Sequence, residues 1–280
     1  MKIYISLDME GMPGTFNWDQ EASDRAGVKA CMYNHLQKVL ETIIDSRQNH
    51  LIDEITIADS HAMGDNISYE ITALDERINL ISGGPRPYYM IPALSAEYDM
   101  VFLLGYHAGT GTHLANMDHT YSNKRIHKIW LNGLPMNEAL INAAYAGFLG
   151  VPVTLVSGDK ALQTELMTEE AMPWVHYITT KEAVSKFAAK NYSILRVREQ
   201  TVQAVQKALA AEKALCPLYK ISSPITLRIE FHSTAMADAA CLMPYVKRLD
   251  GRTVEYINDD YAIIFEAIMA LVTLAYSANL

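Results

Sequence analysis

The chain has 280 residues, half of them hydrophobic and 20% charged, enough to bury one large α/β core or a core with a smaller lobe. Lys and Arg number 23 against 32 Asp and Glu, a formal net charge of −9, which argues against a nucleic-acid backbone as partner. Cys31, Cys216 and Cys241 form no CxxC pair, which disfavours a sulfur-based zinc site and fits a reducing compartment.

Lys2 to Leu7 alternates apolar and polar residues and reads as a first strand, ending in the turn-rich segment Asp8-Met-Glu10-Gly11-Met-Pro13-Gly14. Its apolar run is interrupted by polar residues and ends in a carboxylate, so it is not read as a signal peptide. Trp18 to Asn49 carries helical periodicity, best from Lys29 to Arg47. Asp53 to Ala58 is a second strand, ending in Asp59-Ser-His61, and Ile78 to Ser82 a third. Tyr89 to Leu94 is expected to form a helical turn, and Met100 to Leu104 a buried strand.

Arg125 to Leu131 reads as a strand followed by a turn at Asn132-Gly133. Pro135 suits a first helical turn, and Asn137 to Leu149 a helix stopped by Gly150. Val151 to Val156 is a buried strand, and Ser157-Gly158-Asp159 is expected to cap a helix to about Met167. Beyond it come a strand at Val175–Thr179 and a helix at Ser193–Ala211. A strand at Ile225–Phe231, a helix at Ala235–Leu242, a strand at Arg252–Ile257 and a helix at Tyr261–Leu280 complete the chain. That last stretch approaches membrane-spanning length, but Glu266 interrupts it and no basic cluster flanks it. The expectation is an α/β protein, soluble and cytoplasmic. Residues 1–167 would form a metal-binding core with a largely parallel sheet and flanking helices, and residues 168–280 a smaller α+β lobe.

Chemistry concentrates where strands end. Asp8 and Glu10 are two apart at the end of the first strand, a spacing that lets both side chains leave on one face. Asp59 and His61 repeat it after the second strand, and His107 takes the matching place after Met100–Leu104. From there to His119, three of the chain's nine histidines fall within thirteen residues, with His113 between. In open parallel sheets, ligands gather at the loops leaving the carboxyl ends of strands. Oxygen and nitrogen donors without sulfur suit Zn²⁺, Mn²⁺ or Co²⁺, and a carboxylate can bridge two such ions.

The motifs Ser6-Leu-Asp8-Met-Glu10-Gly11, Asp59-Ser-His61, Gly105-Tyr-His107 and His119-Thr-Tyr-Ser122 together resemble the zinc-dependent D-aminopeptidases associated with dipeptide-transport operons. Asn137-Glu138, Gly158-Asp159, Ile229-Glu-Phe231 and Met243-Pro244 extend the resemblance over nearly the whole chain. It implies a dinuclear zinc site in which Asp8 bridges both ions. Glu10 and His107 would complete one ion's ligands, and His61 and Glu138 the other's. His119 would be the catalytic histidine beside the metals, in proton transfer or in stabilising the tetrahedral intermediate. The resemblance further implies decameric rings whose sites face an inner cavity.

On the residues themselves, His119 is favoured over His113 for the catalytic role, and Asp59 is read as orienting His61 or capping a turn. Ser122 lacks the G-x-S-x-G surroundings of a nucleophile. Gly83 to Tyr89 and Thr110 to Met117 are the expected pocket walls. The expected function is a metallo-aminopeptidase that releases an N-terminal residue, a D-amino acid on the resemblance, from short peptides. A metal-dependent amidohydrolase on another small amide is the alternative, and a non-catalytic peptide-binding protein a weaker one.

Overall fold

The structure, a computed structural model, describes residues 1–278. In chain order it runs β1 (Lys2–Leu7), α1 (Asp19–Ser23), α2 (Arg25–Ile44), β2 (Glu54–Asp59), β3 (Ile78–Ile81), β4 (Met100–Tyr106), β5 (Ile126–Leu131), β6 (Leu134–Pro135), α3 (Glu138–Phe148) and β7 (Val153–Asp159). The second half follows with α4 (Lys160–Leu166), β8 (His176–Ser185), β9 (Ala188–Asn191), α5 (Ile194–Leu209), β10 (Ile225–Phe231), α6 (Thr234–Ala240), β11 (Lys247–Arg248), β12 (Thr253–Asn258) and α7 (Tyr261–Ser277).

The larger sheet has the order β3-β2-β1-β4-β7-β8-β9. It is parallel except for β9, which pairs antiparallel with β8. The smaller sheet, β11-β12-β10-β5-β6, is antiparallel. Alternation along β1 shows how the layers form. Ile3, Ile5 and Leu7 turn to a core shared with Met32, Leu36 and Val39 of α2 and Val205 of α5. Tyr4, pointing the other way, joins a core with Ile141 of α3, Ile268 of α7 and the inner residues of the smaller sheet. A parallel sheet covered on both faces needs apolar residues on both, which is why β4 is buried along its whole length.

Several expectations change. The helix expected from Trp18 is split: Asp24 accepts a hydrogen bond from Gly27 N at 3.0 Å and starts α2 afresh. Pro135, expected in a first helical turn, instead pairs with Trp130 in a short hairpin, while Tyr89–Leu94 is a run of turns and bends. Ser157 and Gly158 stay within β7, and Asp159 alone caps α4, accepting from Leu162 N at 3.0 Å. The hairpin strand β9 was not expected. The division at Met167 does not follow the sheets: β5 and β6 precede it yet belong to the smaller sheet, while β8 and β9 follow it and extend the larger one. The chain leaves the main sheet for β5 and β6 and re-enters it at β7, after which the crossover through α4 sets β8 parallel beside β7.

The C-terminal helix α7 buries Ile264, Phe265, Ile268, Leu271 and Val272, a stripe at helical spacing. The last two residues of the helix expected to reach Leu280 lie outside the described residues. No helix among residues 1–278 is long and apolar enough to cross a membrane.

Candidate active site

The order β2-β1-β4 places three strand ends side by side, so the segments after Leu7, Asp59 and Tyr106 converge. Backbone bonds lock them: Asp8 N donates to Leu104 O at 2.8 Å, Gly11 N to Gly105 O at 2.6 Å and Ser60 N to Leu7 O at 2.9 Å. Gly11 is required by this closeness, because a Cβ there would lie 1.8 Å from Tyr106 O. From the other side, buried Lys181 of β8 donates to the carbonyls of Glu10 and Thr15 and to the Thr15 hydroxyl. Nothing in the sequence around Lys181 marks it for this place.

Six donor side chains meet. His61 Nδ1 lies 3.2 Å from both Asp8 Oδ1 and Glu10 Oε2. His107 Nε2 lies 3.5 Å from Asp8 Oδ2 and 3.5 Å from Glu138 Oε1. His119 Nε2 is 3.6 Å from Glu138 Oε1 and 3.8 Å from Glu10 Oε1. Asp8, Glu10 and His61 thus form one group and His107, His119 and Glu138 a second, the ligand atoms of each within 4.8 Å of one another. The grouping differs from the one implied by the resemblance, which joined Glu10 to His107 and His61 to Glu138 and left His119 outside. Imidazole–carboxylate attraction draws each ring to its nearest acid, and His119 stacks on His107 at 4.2 Å between ring centres.

Every histidine is anchored by the nitrogen that points away from the cluster. His61 Nε2 donates to Glu21 Oε1 at 3.0 Å, His107 Nδ1 to Ala108 O at 3.0 Å and His119 Nδ1 to Met117 O at 3.0 Å. Such outer partners fix the tautomer and present the other nitrogen as a lone pair, the arrangement a metal-ligating imidazole needs. Asp8 Oδ2, Glu10 Oε2 and His107 Nε2 are buried with no hydrogen-bond partner. Three orphaned buried acceptors within these two groups are costly unless cations or protons satisfy them, and the donor set, three carboxylates and three imidazoles, suits a divalent transition metal.

The electrostatics point the same way. Burial, then the charge of Glu10, pushes the Asp8 carboxyl up to about 7. Burial also opposes charge on Glu10, yet His61 beside it outweighs that and holds Glu10 well below the usual carboxylate range. For His107, burial opposes protonation but Glu138, Glu10 and Asp8 prevail and carry the ring up to about 10. His119 differs: burial and the neighbouring His107 charge both lower it. Protons held by such a network are those that a bound cation displaces.

The expected site residues therefore converge, and the doubtful ones separate. His113 is exposed and in neither group. Asp59 accepts from Asn66 N at 2.6 Å, Asn66 Nδ2 at 2.9 Å and Ile67 N at 2.9 Å, and so holds the turn after β2. Ser122 hydrogen-bonds Tyr276 rather than a histidine. The groups open into a cavity of about 330 Å³. Tyr89 lines it as expected, but Thr110 to Met117 does not; Tyr121 of the His119–Ser122 motif does, as do Trp18, Glu21 and Tyr276, which the sequence did not single out. Trp18 Nε1 donates to Glu10 Oε1 at 2.8 Å, and Tyr121 N to Glu138 Oε1 at 2.6 Å. A larger cavity of about 430 Å³ lies behind the histidine loop, against Gly109, Asn137 and Glu165. It contains none of the six clustered donors, so the donors and not the volume mark the site.

A profile of D-aminopeptidases, peptidase family M55, matches residues 1–270. The chain belongs to this family. A D-aminopeptidase of Bacillus subtilis (strain 168) is 29% identical over 284 residues, covering 98% of each chain. The solved structure of the zinc-dependent D-aminopeptidase DppA from Bacillus subtilis, described as a self-compartmentalizing protease, superposes with a TM-score of 0.89 at 26% identity. That match covers 99% of this chain and 98% of that one. The mixed α/β fold with its largely parallel sheet is thus the fold of that enzyme as well.

Proposed function

We propose that the chain is a zinc-dependent aminopeptidase that releases an N-terminal D-amino acid from short peptides. The observation that carries this reading is the set of orphaned buried acceptors, Asp8 Oδ2, Glu10 Oε2 and His107 Nε2, within two adjoining donor groups at a cavity of about 330 Å³. Asp8, Glu10, His61, His107 and Glu138 would hold two metal ions, with Asp8, which faces both His61 and His107, as the shared ligand. Metal ions held there supply Lewis acidity toward the scissile carbonyl and lower the pKa of water toward about 7.

The remaining chemistry falls to the chain's own groups. His119 lines the cavity whereas His107 does not, so it is the imidazole of that stacked pair which a substrate meets. Its Nδ1–H is committed to Met117 O and its pKa is lowered, which leaves Nε2 free to accept a proton from the attacking water and return it to the leaving amine. Trp18 packs edge-on against His119 at 5.3 Å and fixes the ring's plane. Trp18, Tyr89 and Tyr121 wall the cavity and exclude bulk water from the bond being broken.

The description of DppA as self-compartmentalizing supports a ring assembly for this chain too, which we take to be a decamer. Light scattering of the purified protein measures it.

The deciding experiment combines metal analysis with a panel of D-Ala-D-Ala, L-Ala-L-Ala and simple amides. Two zinc ions per chain and cleavage confined to the D-peptide are expected. Less than one tightly held metal, without activation by Zn²⁺, Mn²⁺ or Co²⁺, sinks the reading. Faster turnover of simple amides instead favours an amidohydrolase.

A further inference from the structure

One acid in the cavity belongs to neither donor group. Glu21, on α1, lines the cavity with its side chain 32% exposed, and among the described residues its recorded partner is His61, through Oε1 at 3.0 Å. Oε2 is left for a ligand. No lysine or arginine lines the cavity, and apart from the donor groups every other lining residue is neutral. Cations bound by Asp8, Glu10 and Glu138 neutralise those three carboxylates, which leaves Glu21 as the cavity's remaining negative charge. It stands one imidazole width from the ligand space, because His61 turns Nδ1 to Asp8 and Glu10 and Nε2 to Glu21. The α-amine of a peptide's first residue is two bonds from the scissile carbonyl, a matching separation.

We propose that Glu21 receives the protonated α-amine of the substrate through Oε2 while Oε1 orients His61. The residue would then make the centre an exopeptidase: a peptide lacking a free ammonium at its first residue leaves Glu21 Oε2 covered and without a partner, which is penalised more than a lost neutral contact. The inference rests on the aminopeptidase reading above.

The test uses zinc-loaded Glu21→Gln. The amide oxygen still accepts from His61 Nε2, so zinc content is expected to match the wild type. KM for D-Ala-D-Ala should rise by about 10- to 100-fold, the loss of a charge-assisted hydrogen bond, with kcat changed less than about threefold. Calorimetric binding of D-alanine should weaken by a similar factor, and discrimination against N-acetyl-D-Ala-D-Ala should shrink with it. Unchanged KM and unchanged D-alanine binding in an active, zinc-replete variant overturn the proposal alone. A kcat loss without a KM change overturns it in favour of a purely orienting role. Wild-type protein that cleaves no peptide overturns the aminopeptidase reading, and the proposal with it.

Discussion

Glu165 of α4 lies outside the cavity yet holds two elements of the site. Its Oε2 accepts from Gly109 N at 3.1 Å and from Asn137 Nδ2 at 2.7 Å, and its Oε1 accepts from the Thr112 hydroxyl. Gly109 and Thr112 belong to the loop between His107 and His119. Asn137 caps α3, accepting from Leu140 N at 2.8 Å, and the next residue is Glu138. One carboxylate thus sets the distance between the histidine loop and the helix that carries the fifth expected ligand. Hydrogen bonds to a charged acceptor contribute roughly 1.5–3 kcal/mol each. Glu165 is only half-buried and water refills part of the gap, so Glu165→Ala should cost about 3 kcal/mol. For a chain of this size that corresponds to melting about 6–12 °C lower. Loosening an outer-shell partner typically weakens metal affinity or activity about 10- to 100-fold, and a chromophoric chelator competing for zinc reads it. Glu165→Gln keeps the reach and can still accept at one oxygen and donate to Thr112, so most of the affinity should survive. Glu165→Asp keeps the charge but is one methylene short and should resemble the alanine variant. If Asp preserves zinc affinity and Gln loses it, charge matters and the clamp argument is refuted.

Other outcomes follow from the same geometry. His119→Ala should retain its metal and lose turnover by about 10²- to 10⁴-fold, whereas exposed His113→Ala stays within about twofold; the reverse ranking in steady-state kinetics refutes the assignment. His35, buried in α2, meets Ser157 Oγ at 3.0 Å, and that same oxygen accepts from Gly105 N at 2.9 Å. Burial lowers the His35 pKa from the ordinary 6.5 to about 4. Between those values the unfolded chain binds a proton that the folded one refuses, so stability rises with pH across that window and is lost on acidification. At about 1.4 kcal/mol per unit the loss is on the order of 3 kcal/mol. Denaturant titrations at pH 4 and 6.5 should show that part of the difference vanish in His35→Gln, and an unchanged slope counts against it.

The sequence was most informative where local physics decides the outcome. β1 and β10 have the bounds expected from alternation alone, and Ser193 and Asp260 cap α5 and α7 as their side chains suggest. Asp8, Glu10, His61 and His107 were visible because strand ends are also chain-local features, and the sheet needed only to seat β1 between β2 and β4. Glu138 was different. An acid in the first turn of a helix is ordinarily a partner for the helix dipole, so only the resemblance distinguished it. Lys181, Glu165 and Glu21 reach the site from β8, α4 and α1 across the tertiary packing, and no spacing along the chain encodes that reach.

The grouping of donors was beyond sequence for a related reason. Which acid lies nearest which imidazole depends on where each ring is tethered, and those tethers are backbone carbonyls of Ala108 and Met117 and the Glu21 carboxylate. Met117 and Tyr121 have positive φ, at 54° and 58°, a conformation non-glycine residues adopt at a cost. Each uses that backbone for the site: the Met117 carbonyl holds His119, and the Tyr121 amide holds Glu138. Strain on either side of His119 is therefore coupled to the two contacts that aim Nε2 of the ring and Oε1 of the acid at one another. His119, the histidine proposed to be catalytic, is aimed by backbone shape, which residue identities alone do not specify.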